Sequence, residues 1–211
     1  MSKGKAGSGR REQPGAPRPD WVVVGIAAAG FVVAGYLAVT KLLGGSALFC
    51  TAGSPCDIVQ ASRYATLLGL PTAAWGAGFY VLVGVLALAG LPARRWLAAF
   101  LLAVAGVSFS LYLTYLELFV LRAVCAYCIA SAGIAMAVFG VLLGRRPHVT
   151  GRRSPARPAR VAALGGITAV ATVVLGVAAF TLGSPGQASG YQEVLARHLA
   201  SSDAVFYGAY W

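Results

Sequence analysis

The chain has 211 residues, 58% hydrophobic and only 11% charged, against roughly one quarter charged in an ordinary soluble domain. That composition excludes a water-soluble globular protein and makes the net charge of +11 easy to misread. Lys3, Lys5, Arg10, Arg11 and Arg18 could form a nucleic-acid arm, but residues 1–20 are otherwise rich in Gly, Pro and Ser. We read them as a disordered basic cytoplasmic tail that sets membrane orientation, with the lipid bilayer and no nucleic acid as partner.

Uncharged runs cover 21–40, 64–93, 96–116, 123–144 and 161–192. Each can cross a hydrocarbon core of about 30 Å as a helix of about 20 residues, and helices satisfy every backbone group internally where an open sheet would not. The prediction is an all-α polytopic membrane protein with helices at about 21–43, 71–90, 96–119, 126–144 and 161–182. The first run could instead be a signal peptide after a basic start. It is long for that role and lacks a convincing small-x-small cleavage site.

Lys and Arg number thirteen in the tail, the loop of Arg94 and Arg95, and the basic loop 145–160, against four (Lys41, Arg63, Arg122, Arg197) in the alternate segments. The richer side is expected to be cytoplasmic, so the N-terminus lies inside and the C-terminus outside. On this topology all four cysteines fall on the extracytoplasmic side, where disulfides form and persist.

After the first helix comes Cys50-Thr51-Ala52-Gly53-Ser54-Pro55-Cys56. Ser54, Pro55 and Asp57 read as N-cap, N1 and N3 of a helix that places Cys56 in its first turn. This surface half-helix is expected to run to Leu68 and stop at Gly69 before Pro71. Near the outer end of the third membrane helix, Glu117 could accept protons or could simply be solvated.

Cys125-Ala126-Tyr127-Cys128 opens the fourth membrane helix. A C-x-x-C at a helix start projects both thiols from one face, and the unpaired N–H groups and dipole there stabilise a thiolate. The competing readings are a four-cysteine zinc site and two inert disulfides. Against zinc, the pair opens a membrane helix and no His is near. Against inert disulfides, a C-x-x-C loop is too small to constrain much of the unfolded chain.

The order of features resembles bacterial homologues of the vitamin K epoxide reductase family. A first helix is followed by a two-cysteine loop, a half-helix with Ser62-Arg63-Tyr64, a Gly-Leu-Pro entering helix 2, and C-x-x-C heading helix 4. The resemblance implies a four-helix bundle, 21–144, around a quinone (menaquinone or ubiquinone, vitamin K-like), with 161–182 as an appended fifth helix. It implies Cys128 as the sulfur that attacks the quinone, Cys125 as its disulfide partner, Cys56 as the shuttle and Cys50 as the exchange point with an external thiol. Ser62 matches a serine near the family's active centre. Animal members carry a tyrosine one turn after the second C-x-x-C cysteine, able to donate to the quinone; here it is Ala132. Candidate substitutes are Ser108, Ser110, Tyr112, Tyr115 and Ser131, though packing or interhelical hydrogen bonding is the commoner use of such residues.

Residues 183–211 read as a linker, a short amphipathic helix at 191–199 and a β-branched and aromatic strand at 204–211 ending in Trp211. The strand resembles the segment before the W-C-x-x-C of a thioredoxin-like domain, to which bacterial homologues are often fused. The expected function is a quinone-dependent thiol oxidoreductase in a bacterial inner or plasma membrane. It would take electrons from a thioredoxin-like partner or fused domain and so support disulfide formation in exported proteins. The rival expectations are vitamin K quinone or epoxide reduction, and a non-catalytic scaffold with structural disulfides or zinc.

Overall fold

A computed structural model describes residues 18–45, 47–48, 50–51, 53–147, 157–182, 198–199 and 201. Among them lie six α-helices: α1 (Trp21–Leu42), α2 (Pro55–Ala61), α3 (Thr72–Leu88), α4 (Ala93–Tyr115), α5 (Ala126–Gly144) and α6 (Pro158–Leu182). The helices α1, α4 with its continuation to Leu121, α5 and α6 are long and apolar enough to cross a membrane. At 17 residues, or about 25 Å, α3 stands at the short end of spanning length.

The expected bundle is present. α1 packs on α3 and α5, α4 packs on the same two, and α6 lies outside this ring against α4. At one end Val23, Val83, Trp96, Val138 and Leu142 are wholly buried, and the Trp96 indole N–H donates to the Leu142 carbonyl at 2.8 Å. Asp20 knits the same end: it caps α1 by accepting the Val23 N–H at 3.3 Å, pairs with Arg145, and donates its own N–H to the Ala87 carbonyl at 3.0 Å. All four cysteines sit at the opposite end, where α1 and α4 finish and α3 and α5 begin.

Gly30 sets the distance between α1 and α3. A Cβ there would lie 2.3 Å from the Tyr80 ring. Its absence lets Tyr80 lie against α1 and donate its hydroxyl to the Ser131 carbonyl of α5 at 2.8 Å.

The half-helix is shorter than the sequence suggests. α2 stops at Ala61, and Ser62 is extended at φ −67° and ψ 158°. A single 3-10 turn, Arg63–Ala65, leads into a miniature hairpin of β1 (Thr66–Leu67) and β2 (Leu70–Pro71), with Thr66 opposite Pro71 and Leu67 opposite Leu70. Leu68 and Gly69 make its two-residue turn at φ +53° and +80°, the left-handed pair a tight hairpin requires and a right-handed helix forbids. The third membrane helix departs too. Beyond Tyr115 it continues as a π-helical segment, Leu116–Leu121, until Arg122 turns left-handed at φ +52°. The strand expected at 204–211, most of the helix expected at 191–199 and residues 1–17 of the basic tail lie outside the described residues.

Candidate active site

Ser54 accepts the Asp57 N–H at 3.3 Å with Pro55 at N1, so α2 begins where its sequence signals say. The Asp57 carboxylate reaches back to the Gly53 N–H at 2.9 Å, while the Ser54 N–H is taken by the Thr51 carbonyl. This tight entry holds Cys56 in the first helical turn, joined to Cys50 by a disulfide. Both cysteines are buried with Leu37, Val59, Ala123 and Cys125. Two tyrosines fasten the loop: the Leu48 N–H donates to the Tyr36 hydroxyl and the Tyr127 hydroxyl donates to the Leu48 carbonyl, each at 2.8 Å.

On the facing side Cys125 is the N-cap of α5 and Cys128 falls in its first turn. Both are free thiols. The Cys125 Sγ lies 3.9 Å from the Cys56 Sγ. The Cys125 thiol is pulled down to about 7, chiefly by the Cys128 thiol donating toward it and further by the Cys128 and Tyr127 N–H groups. Burial and the negative charge of Glu117 oppose that pull without overcoming it.

Cys128 also lines a cavity of about 130 Å³ that Cys125 does not reach. Ala34, Leu37, Val59, Phe109 and Leu113 supply its apolar walls. Its polar groups include Gln60, Tyr64 and Ser131, together with Ser110 and Thr114 of α4 and Glu117 of its π-helical continuation. Glu117 is 3% exposed. Its Oε2 accepts the Cys125 N–H at 3.2 Å, and its backbone carbonyl takes the Ala123 N–H at 3.0 Å. The π-helical segment thus closes onto the start of α5 through a single residue. Such segments often occur at functional sites.

Of the residues named from sequence, the cysteines converge in one place, and Ser110, Ser131 and Cys128 line the cavity. The Ser131 hydroxyl is also 3.1 Å from that of Tyr80. Ser62, Ser108, Tyr112 and Tyr115 lie off the cavity lining. Ser62 donates to the Val59 carbonyl at 2.7 Å and finishes α2. Tyr112 packs on α6 against Phe180 at 6.2 Å between ring centres. Tyr115 is exposed against Phe119, and Ser108 sits half-buried on α4. Sequence reasoning overlooked Gln60, Thr114, Tyr36 and Tyr127. A signal for Thr114 was present: Ser110, Thr114 and Glu117, spaced four and three apart, are a polar stripe on an otherwise apolar helix.

A buried disulfide sulfur beside a thiol of low pKa can exchange with it, and the second thiol of the pair faces a separate apolar chamber. Residues 21–143 match the family model described as "Vitamin K epoxide reductase family".

Proposed function

Since the chain belongs to the vitamin K epoxide reductase family of membrane oxidoreductases, we propose that it oxidises an extracytoplasmic thioredoxin-like dithiol at the expense of a quinone. The observation that carries this reading is the split aim of one C-x-x-C. Cys125 faces Cys56 while Cys128 faces the cavity, so one pair of adjacent thiols addresses both a protein disulfide and an apolar acceptor.

The cavity fits a quinone head group. Its volume, about 130 Å³, is near the roughly 150 Å³ that holds a benzene ring in an engineered protein cavity. Phe109, Leu37 and Leu113 offer apolar contact, and the Ser110 hydroxyl offers a donor for a ring carbonyl, while that of Ser131 is shared with Tyr80. Bound there, the quinone supplies an acceptor for two electrons and two protons.

The chain's own residues do the remainder. Loss of two electrons and two protons converts the Cys125 and Cys128 thiols to a disulfide. A Cys56 thiolate then attacks the Cys125 sulfur, breaking the Cys125–Cys128 bond and releasing Cys128 as thiolate. Cys50 attacks Cys56 in turn, forming the Cys50–Cys56 disulfide and freeing Cys125. The partner's dithiol reduces Cys50–Cys56 and leaves as a disulfide, which supports disulfide formation in exported proteins. Cys50 is only 5% exposed, so the partner gains access when the loop held by Tyr36 and Tyr127 opens.

The thirteen-to-four excess of Lys and Arg in the tail, the Arg94–Arg95 loop and the 145–160 loop supports an orientation with the cysteines outside. Anaerobic mixing of fully reduced protein with menaquinone or ubiquinone tests the proposal. Two thiols are expected to disappear per quinol formed. Stable thiols in the presence of both quinones would leave only a structural role for the cysteines.

A further inference from the structure

Among the described residues the proposed mechanism leaves one buried carboxyl group unused. Glu117 is 3% exposed, and no described Lys or Arg forms an ion pair with it. Isolated carboxylates are expensive to bury within a membrane protein, so one retained without a countercharge calls for a task. Its neighbours are the Cys125 N–H at 3.2 Å and, in the same cavity lining, the Cys128 side chain. The same residue lines the cavity beside Cys128. Glu117 therefore adjoins both the groups that lose protons and the chamber in which protons are consumed.

We propose that Glu117 is the proton carrier between the Cys125/Cys128 thiol pair and the quinone, a role that rests on the reading of the cavity as the quinone site. Oxidation of the pair breaks two S–H bonds, forms one S–S bond and sends two electrons and two protons to the quinone oxygens. The Glu117 carboxylate accepts a thiol proton and passes it on, returning to its ionised form. One such passage together with direct transfer from Cys128 accounts for both protons, and Glu117 undergoes no net change. Electrostatics favours the arrangement. Glu117 is close enough that its negative charge opposes ionisation of the Cys125 thiol. The other titratable side chains lining the cavity are Tyr64 from the 3-10 turn and Tyr127 from α5; Cys56 of α2, next to Cys125, is held in the disulfide.

The test uses Glu117→Gln and Glu117→Asp in the full chain, with two readouts. The first needs no quinone: the pH profile for alkylation of Cys125, in a Cys50→Ser/Cys56→Ser background that leaves only the C-x-x-C thiols. Glu117→Gln keeps a hydrogen-bond acceptor for the Cys125 N–H and removes the charge, so its alkylation midpoint should fall. The second is the rate of quinone-dependent thiol loss with Cys50 and Cys56 present, which Glu117→Gln should slow at least about 100-fold, in the range ascribed to a positioned acid or base. Glu117→Asp retains a carboxylate and should recover most of both properties. If Glu117→Gln reacts within about threefold of the unaltered chain, below any such contribution, the proposal fails. An unmoved alkylation midpoint also overturns it, since Glu117 would then merely support the α5 start. Should Glu117→Gln not fold, Glu117→Asp decides: loss of quinone reduction in a folded Glu117→Asp sinks the carrier role, and retention upholds it. Failure of the unaltered chain to reduce quinone would sink the quinone reading, while the alkylation arm would still report on proton linkage.

Discussion

Cys56 and Cys125, 69 residues apart in the chain, hold their sulfurs 3.9 Å from each other while Cys56 remains bonded to Cys50. A sulfur–sulfur bond of about 2.05 Å between them requires each to move by only about an ångström. Either direction of exchange passes through that same mixed disulfide, because the attacking and leaving sulfurs simply trade places.

Removing the two outer sulfurs should therefore trap the link. In Cys50→Ser/Cys128→Ser, oxidation is expected to join Cys56 to Cys125 in most molecules, seen by mass spectrometry as one cross-linked peptide that reductant separates. Two persistent free thiols after oxidation would show that the pair does not meet.

Reactivity should follow the Cys125 thiol. With its midpoint lowered to about 7, it is protonated and slow to alkylate below that pH and increasingly thiolate above it. In Cys50→Ser/Cys56→Ser, labelling of Cys125 should rise through about pH 7, whereas an ordinary thiol would rise near 8.5. The Cys128 thiol contributes most to the depression, so adding Cys128→Ala should move the midpoint upward. A midpoint indifferent to Cys128 would remove the hydrogen bond as its cause.

The membrane helices were legible because length and lack of charge decide them, and the start of α2 because Ser54-Pro55 fixes a cap independently of tertiary context. The end of α2 was not. Leu68 is an unremarkable helix former whose φ of +53° is imposed by the hairpin, itself tied down by the Thr72 hydroxyl on the Tyr64 carbonyl at 2.8 Å and the Trp75 indole on the Leu67 carbonyl at 3.2 Å. Glu117 shows the same limit. The spacing of Ser110, Thr114 and Glu117 puts the glutamate on the polar face of its helix, but its bond to the Cys125 N–H joins segments that only the fold brings together. Tyr36 and Tyr127 meet across 6.0 Å from positions 91 apart, and local sequence carries no mark of that meeting.

The fifth membrane helix lies beyond the matched residues 21–143, yet it touches the site. The Phe180 ring is 5.4 Å from that of Tyr64 and 6.4 Å from that of Phe109, and both of those residues line the cavity. Phe180→Ala should loosen this wall without touching a cysteine. The expected outcome is a KM for quinone raised several-fold, equivalent to about 1 kcal/mol of lost apolar contact, with the thiol–disulfide exchange rate unchanged. An unaltered KM would confine α6 to anchoring.

Gly30 offers the most direct test of how the bundle positions the cavity. Its missing Cβ would lie 2.3 Å from the Tyr80 ring, too close for any adjustment short of moving the ring or separating α1 from α3. Moving the ring breaks the Tyr80 hydroxyl's bond to the Ser131 carbonyl at 2.8 Å and shifts Ser131, a cavity residue one turn from Cys128. Gly30→Ala should therefore cost about 1–3 kcal/mol by overpacking, read as a lower melting temperature in detergent, and should weaken quinone binding at the same time. Tyr80→Phe keeps the ring and deletes only the hydroxyl, so it should preserve the close helix contact and lose mainly the hold on Ser131. Combining the two separates the effects: if Gly30→Ala acts through Tyr80, a Tyr80→Ala background that vacates the space should accept it with little further loss. Additive penalties in that double variant would mean that Gly30 is needed for some reason other than the ring it faces.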